Sequence, residues 1–121
     1  MERNQSREDY LEAILMEGKL RGSCRSIDVA RHLGFSKPSV SIAVAKMVEE
    51  GYVLKEDRGE LRLTEKGMQS AVRVLEKHEF FTNMLVKVGV DEQIASEDAC
   101  KMEHAISEES FHKLKEYFEN N

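Results

Sequence analysis

Three residues near the end of the chain could bind a metal ion together. Cys100, Glu103 and His104 stand at positions i, i+3 and i+4, a spacing that places side chains on one face of a helix. A thiolate, a carboxylate and an imidazole on one face form a donor set that suits a first-row transition ion. The same residues could instead be solvated side chains on a helix surface, so the spacing alone leaves metal binding and a structural role open.

Further candidate ligands occur earlier in the chain. Asp9 and Glu12 are an i, i+3 carboxylate pair that flanks the apolar stripe of a first helix, predicted over about residues 6–17 and ending near Gly18. His78 lies within a longer predicted helix, at a position that could point inward. Carboxylates at this spacing usually face solvent, and a lone histidine often belongs to a core. These residues therefore indicate a metal site only when they are considered together.

Two short helices separated by a turn are predicted after the first helix. Ser26 is expected to cap the first of them, and Gly34 to end it in the left-handed conformation. Ser36 then caps the second, with Pro38 in its first turn, and Gly51 ends it. The buried stripe of this second helix is expected to comprise Val40, Ala43, Val44, Met47 and Val48.

A hairpin and three more helices complete the predicted order. Residues 52–56 and 61–64 are strand-like runs joined by a turn that contains Gly59. Two short helices followed by a hairpin are typical of a winged helix–turn–helix, so the chain is expected to be mainly α with a small β wing. The later helices are one capped by Thr64 that runs to about Val88, one over about residues 92–105, and one capped by Ser107.

The charge of the chain is unevenly distributed. The 121 residues include 18 Lys+Arg and 23 Asp+Glu, a net charge of −5, which taken alone argues against a nucleic-acid partner. Residues 1–78, however, carry a net charge of +1, and residues 79–121 one of −6. No acidic residue lies between Asp28 and Glu49. This segment contains the second of the two short helices, which is the predicted DNA-recognition helix. The distribution of charge along the chain therefore favours DNA binding, although the total net charge does not.

Short hydroxyls and cations occupy the predicted exposed face of the recognition helix. Such side chains can donate to phosphates and to base edges in a major groove. A winged helix used only for protein contact is the alternative, and the absence of acid on this face favours DNA. The candidate DNA-binding residues are Ser36, Lys37, Ser39, Ser41 and Lys46, with Arg58 at the tip of the hairpin.

Several classes of protein are excluded or disfavoured. No apolar run is long enough for a membrane span, and the N-terminus MERNQSRED is too polar for a signal peptide. Cys24 and Cys100 are too few for a disulfide framework, so a cytoplasmic protein is expected. No Gly-rich phosphate loop and no nucleophile with a paired base is present. A small metal-dependent hydrolase is therefore the weaker alternative, and neither an enzyme nor a small organic substrate is expected.

Four segments carry a family resemblance over almost the whole chain: Glu8-Asp9-Tyr10-Leu11-Glu12-Ala13-Ile14, Lys37-Pro38-Ser39-Val40-Ser41, Lys77-His78-Glu79 and Ala99-Cys100-Lys101-Met102-Glu103-His104. In order and spacing they resemble the iron- and manganese-dependent repressors of the diphtheria toxin repressor and manganese transport regulator family. The resemblance implies a winged helix–turn–helix domain over residues 1–66 and a helical metal-binding and dimerisation domain over residues 67–121. An SH3-like third domain, as in iron-dependent members, is not expected, which points to the two-domain, manganese-regulator-like branch.

The resemblance also implies a ligand set: Asp9, Glu12, His78, Cys100, Glu103 and His104. Cys100 matches the iron branch, whereas Asp9 matches the manganese branch, so the implied site is a hybrid. Thr82 and Ser96 stand where the iron branch has residues for a second, ancillary ion. An ancillary site is therefore not expected.

The implied function is a metal-gated repressor that binds double-stranded DNA. Carboxylates suit Mn(II) and a thiolate favours Fe(II), Co(II) or Zn(II). Mn(II) or Fe(II) is the expected signal, with Zn(II) and Co(II) binding expected in vitro. A homodimer on a palindromic operator is implied, in which the ion ties the first helix to the fourth and fifth. A metal-independent winged-helix regulator is the alternative.

Overall fold

The computed structural model describes residues 3–120, with the side chains of residues 7–120. The described residues form two compact units that divide between Val72 and Arg73, and one helix runs through the boundary. No helix within residues 3–120 is both long and apolar enough to cross a membrane. The elements in chain order are α1 (Arg3–Arg21), α2 (Ser26–Leu33), α3 (Lys37–Glu49), β1 (Val53–Lys55), β2 (Leu61–Leu63), α4 (Glu65–Lys87), α5 (Glu92–Met102) and α6 (Glu108–Asn120).

The first helix extends further than predicted. Gly18 lies inside α1, and the helix ends at Arg21, where Gly22 takes a positive φ of 86°. Arg21 Nε donates to Glu17 Oε1 at 2.7 Å, an i, i+4 ion pair that stabilises this last turn. The predicted end near Gly18 was wrong because a glycine lowers helix propensity without forcing a stop.

The start of α2 also differs from the prediction. Arg25, with φ −122° and ψ 166°, is the N-cap, and Ser26 is the first helical residue. The carbonyl of Cys24 accepts from the N–H of Leu61 at 2.7 Å, and Arg25 pairs with Glu60 in an antiparallel bridge. This pairing keeps the chain extended up to Arg25, so the helix begins only after it.

The turn between α2 and α3 matches the prediction. Gly34 adopts the left-handed conformation, with φ 74° and ψ 28°. Ser36 Oγ accepts from the N–H of Ser39 at 3.3 Å, and Pro38 lies in the first turn. Val48 was wrongly placed in the buried stripe of α3, since it is 39% exposed. The buried residues of that stripe are Val40, Val44 and Met47, and Ala43 is only partly buried.

The wing is a two-stranded antiparallel hairpin shorter than the predicted runs. Val53 pairs with Leu63 and Lys55 with Leu61. Thr64 then caps α4 as predicted, since its Oγ1 accepts from the N–H of Gly67 at 3.0 Å.

The second unit packs around a small aromatic core. Phe81, Ala99 and Phe111 are buried, and the ring of Phe80 meets that of Phe111 edge-on, with centroids 5.5 Å apart. Ser107 caps α6 as predicted, because its Oγ accepts from the N–H of Ser110 at 3.1 Å. Helix α5 ends at Met102, so the prediction of a helix to about residue 105 was wrong. Residues 103–105 form a turn between α5 and the cap of α6.

Candidate metal centre and nucleic-acid interface

Glu103 is a buried carboxylate, and one of its oxygens accepts no hydrogen bond from the part of the chain that the structure describes. Its side chain lies at the C-cap of α5 and the residue is 2% exposed. Oε1 lies 2.9 Å from Nδ1 of His78. Among the described residues, Oε2 has no hydrogen-bond partner, although Nε2 of His104 stands 3.3 Å from it. A buried acceptor left unpaired costs about 1–3 kcal/mol, and more when it is charged. A cation at Oε2 would remove that cost.

Donor atoms of three chemical types meet at this carboxylate. One donor atom from each of Cys100, Glu103 and His104 lies within 4.8 Å of the other two. Two ligands of one ion, each at about 2.0–2.3 Å, are at most about 4.6 Å apart. A small adjustment therefore brings sulfur, oxygen and nitrogen onto one divalent transition ion. The donor set and the unpaired Oε2 fit such an ion.

The donors of Cys100, Glu103 and His104 lie together as predicted, although α5 ends before two of these residues. Cys100 lies on α5 and is exposed, whereas Glu103 and His104 follow the end of the helix. The side chain of His104 is nonetheless 5% exposed and faces Glu103. The predicted cluster is therefore present at the C-terminal end of α5.

His78 reaches the same carboxylate from α4. Its Nδ1 is the atom near Glu103, and its other ring nitrogen, Nε2, lies 3.3 Å from Oγ of Ser96 on α5. The prediction that His78 points inward is confirmed within the second unit. The contact with Ser96 was not predicted, because it depends on how α4 packs against α5.

Asp9 and Glu12 lie on α1, in the first unit. Glu12 is buried, and Asp9 is partly buried. Three residues apart on a regular helix, they share one face as predicted. A buried carboxylate requires a partner that offsets its loss of hydration.

A second buried carboxylate of α1 went unnoticed in the sequence. Glu17 is 6% exposed, and its two oxygens accept from Arg21 Nε at 2.7 Å and from His32 Nδ1 at 2.8 Å. The hydrogen bond with His32, and then that with Arg21, lower the pKa of Glu17. The i, i+4 spacing of Glu17 and Arg21 was visible in the sequence, but the tie to His32 on α2 was not.

All six candidate DNA-binding residues are exposed. Lys37 opens α3, and Lys46 lies in its last turn. Two of the hydroxyls bond each other, since Ser36 Oγ donates to Ser39 Oγ at 2.9 Å. The exposed set is Ser36, Lys37, Ser39, Ser41, Lys46 and Arg58.

The wing tip is held by a residue that sequence reasoning missed. Nη1 of Arg25 donates to the carbonyl of Arg58, and the N–H of Arg25 donates to Asp28 Oδ2 at 2.9 Å. This second bond, with Arg31 as a further donor, lowers the pKa of Asp28. Arg25 thus joins the start of α2 to the wing within the first unit.

Comparison with known proteins covers nearly the whole chain. Residues 4–61 match the family described as iron dependent repressor, N-terminal DNA binding domain. Residues 64–121 match iron dependent repressor, metal binding and dimerisation domain.

Individual relatives agree with these matches. An HTH-type transcriptional regulator of Methanocaldococcus jannaschii is 38% identical over 96% of this chain and 94% of its own length. The HTH-type transcriptional regulator MntR of Bacillus subtilis strain 168 is 34% identical over 94% of this chain and 82% of its own. The solved structure of the manganese regulator SloR aligns with a TM-score of 0.82 at 26% identity, covering 95% of this chain and 54% of that one. This chain thus spans about half the length of that solved protein.

Proposed function

The chain belongs to the iron-dependent repressor family, and on this basis we propose that it is a metal-dependent transcriptional repressor of metal-ion homeostasis. The family consists of transcriptional repressors and not of enzymes. The observation that carries the metal dependence is the buried Glu103, whose Oε2 accepts no hydrogen bond among the described residues. A metal-independent regulator would have no ion to offset the burial of that oxygen.

The proposed ligands come from both units. His78, Glu103 and His104 would supply two imidazoles and a carboxylate, and Cys100 a thiolate. Asp9 and Glu12 would add the carboxylates of α1, a role supported by the burial of Glu12. The predominance of oxygen and nitrogen donors supports Mn(II) or Fe(II), and SloR is a manganese regulator. Zn(II) and Co(II) are expected to bind in vitro.

The carboxylates of the proposed site explain how metal binding would control DNA binding. Asp9, Glu12 and Glu103 are like charges, which repel when brought to one place. A divalent ion supplies the positive charge that offsets this repulsion. Because α1 belongs to the DNA-binding unit, ligands on α1 link occupancy of the site to the conformation of that unit. An ion that binds one conformation better than the other shifts the population towards it.

The DNA contact is proposed for α3 and the wing. Ser39, Ser41 and Lys46 would face the major groove, Ser36 and Lys37 the phosphates at the start of α3, and Arg58 the backbone next to the wing. We propose a homodimer, so that two copies of α3 read the two halves of a palindromic operator. A cytoplasmic location is proposed to go with this role. We propose a DNA-binding domain over residues 1–66 and a metal-binding and dimerisation domain over residues 67–121.

The test combines metal analysis with DNA selection. Purified protein is stripped with a chelator, and aliquots are loaded with Mn(II), or with Fe(II) under anaerobic conditions. Each form is used to select binding sites from random double-stranded DNA. The loaded protein is expected to enrich a palindromic sequence that the stripped protein does not bind. Equal enrichment by both forms would support the metal-independent alternative.

A further inference from the structure

His78 is held at both ring nitrogens within the second unit. Nδ1 lies 2.9 Å from Glu103 Oε1, and Nε2 lies 3.3 Å from Ser96 Oγ. Ser96 is partly buried on α5, one turn before Cys100. The ring is therefore fixed in orientation, with its Nδ1 edge towards the carboxylate and its Nε2 edge towards the hydroxyl.

We propose that Ser96 is a positioning residue that holds Nδ1 of His78 as the metal-binding atom, an inference that rests on the metal centre proposed above. A neutral imidazole has one N–H and one lone pair, and a hydrogen bond to one nitrogen determines which atom can ligate. Since Ser96 engages Nε2, Nδ1 is left on the side of Glu103. Cys100 and His104 also place donor atoms within 4.8 Å of an oxygen of the same Glu103.

A serine suits this position because its hydroxyl can donate or accept. Without metal, Nδ1–H donates to Glu103, and the hydroxyl of Ser96 donates to the lone pair of Nε2. With an ion on Nδ1, the ring proton lies on Nε2 and is donated to Ser96 Oγ. The imidazole is neutral in both states, and its proton has only moved from one nitrogen to the other. The ring does not need to turn, and both nitrogens have partners throughout.

The experiment uses the full chain with three substitutions. Ser96→Ala removes the hydroxyl, Ser96→Thr retains it, and Ser110→Ala, at an exposed position of α6, is the matched control. Alanine favours helix formation, so Ser96→Ala is expected to fold, and circular dichroism checks this. Mn(II) affinity is measured by calorimetry. Loss of such an orienting partner typically costs about 10–100-fold in metal affinity. We expect that loss for Ser96→Ala, with Ser96→Thr and Ser110→Ala within about threefold of the parent.

The tautomer of His78 provides a readout that a merely structural serine would not affect. Long-range ¹H–¹⁵N spectra are recorded at a pH where the ring is neutral, without metal and with diamagnetic Zn(II). We expect the Nδ1–H form without metal and the Nε2–H form with Zn(II) in the parent, and in Ser96→Ala a shifted Nε2 signal in both states because that nitrogen has lost its hydrogen bond to Ser96 Oγ. Parent-like Mn(II) affinity in Ser96→Ala, or an Nδ1–H ring in the zinc-loaded parent, would overturn the proposal.

Two further substitutions test the proposed metal centre itself through Mn(II) binding. His78→Ala and Glu103→Gln should both lose Mn(II) binding if the proposed centre is correct. If they lose it while Ser96→Ala does not, only the role of Ser96 fails. If both variants bind Mn(II) like the parent, the proposed centre fails and the role of Ser96 fails with it.

Discussion

The buried carboxylate of Glu17 lies 2.8 Å from Nδ1 of His32 and so joins α1 to α2. Arg21 engages the other oxygen. Helix α2 is the first helix of the helix–turn–helix and supports α3, the recognition helix. The contact between Glu17 and His32 therefore fixes α2 against α1. It also makes the stability of the first unit depend on the charge of one carboxylate.

Acid should weaken this contact. The hydrogen bonds with His32 and Arg21 lower the pKa of Glu17 from its ordinary value of 4.5. A lowered pKa contributes stability above the ordinary value, and that contribution is lost as the pH falls through the lowered value. We expect Glu17→Gln to lower the free energy of unfolding by about 1–3 kcal/mol at pH 7, and the difference from the parent to shrink below about pH 4.5.

Urea unfolding between pH 3 and pH 7 measures this effect. Glu49→Gln, at an exposed carboxylate that ends α3, is the control and should follow the parent at every pH. A constant difference between Glu17→Gln and the parent across the range would contradict the assignment.

The two cysteines should differ sharply in reactivity. Burial raises the pKa of the Cys24 thiol to about 12, so almost no thiolate is present at pH 8. Cys100 is exposed. Iodoacetamide followed by mass spectrometry should show modification of Cys100 well before Cys24. If Cys100 is a ligand, saturating Zn(II) should slow its modification, and an unchanged rate would remove it from the proposed set.

Gly67 and Gly18 should respond to alanine in opposite directions. A Cβ at Gly67 would clash with the carbonyl oxygen of Tyr52, whereas one at Gly18 would have no atom of the described residues outside its own helix within 4 Å. We expect Gly67→Ala to destabilise by about 2–4 kcal/mol through backbone displacement. Gly18→Ala should stabilise by about 0.5–1 kcal/mol, since it lies inside a helix. Thermal unfolding of both variants decides, and a neutral Gly67→Ala would contradict the packing of α4 against the turn that precedes β1.

Cations on the proposed DNA surface should affect the salt dependence of binding. Lys37→Ala and Arg58→Ala are each expected to weaken operator binding and to lower the slope of log K against log salt by about 1. Lys113→Ala, at an exposed position of α6, is the control. Fluorescence anisotropy over a series of salt concentrations measures the slope. A control that lowers the slope as much as Lys37→Ala would indicate a general charge effect and not a contact.

Local chemistry was sufficient to predict much of the fold. The left-handed Gly34 and the caps at Ser36 and Thr64 depend on a few neighbouring atoms. They could therefore be predicted from the types of the adjacent residues. The cap of α2 was missed because Arg25 is held extended by pairing with the wing at Glu60. That contact joins residues far apart in the chain, and no local pattern marks it.

The candidate site was predictable in residue type and less so in geometry. The i, i+3, i+4 spacing of Cys100, Glu103 and His104 indicated a cluster, although the helix ends before two of its members. The role of Ser96 could not be derived, because a serine in a helix carries no sign of the histidine opposite it. Contacts between α4 and α5 determine that pair, and only the folded chain provides them.

The most direct test of the account is the operator affinity of the full chain with and without Mn(II), measured for the parent, Glu103→Gln and the exposed α5 control Glu97→Gln. We predict that Mn(II) raises affinity by at least about tenfold in the parent and the control, within the usual range of coupling between two sites. Glu103→Gln should show no increase while retaining its fold. A Glu103→Gln protein that responds to Mn(II) like the parent would contradict the claim that this carboxylate is central to the metal switch.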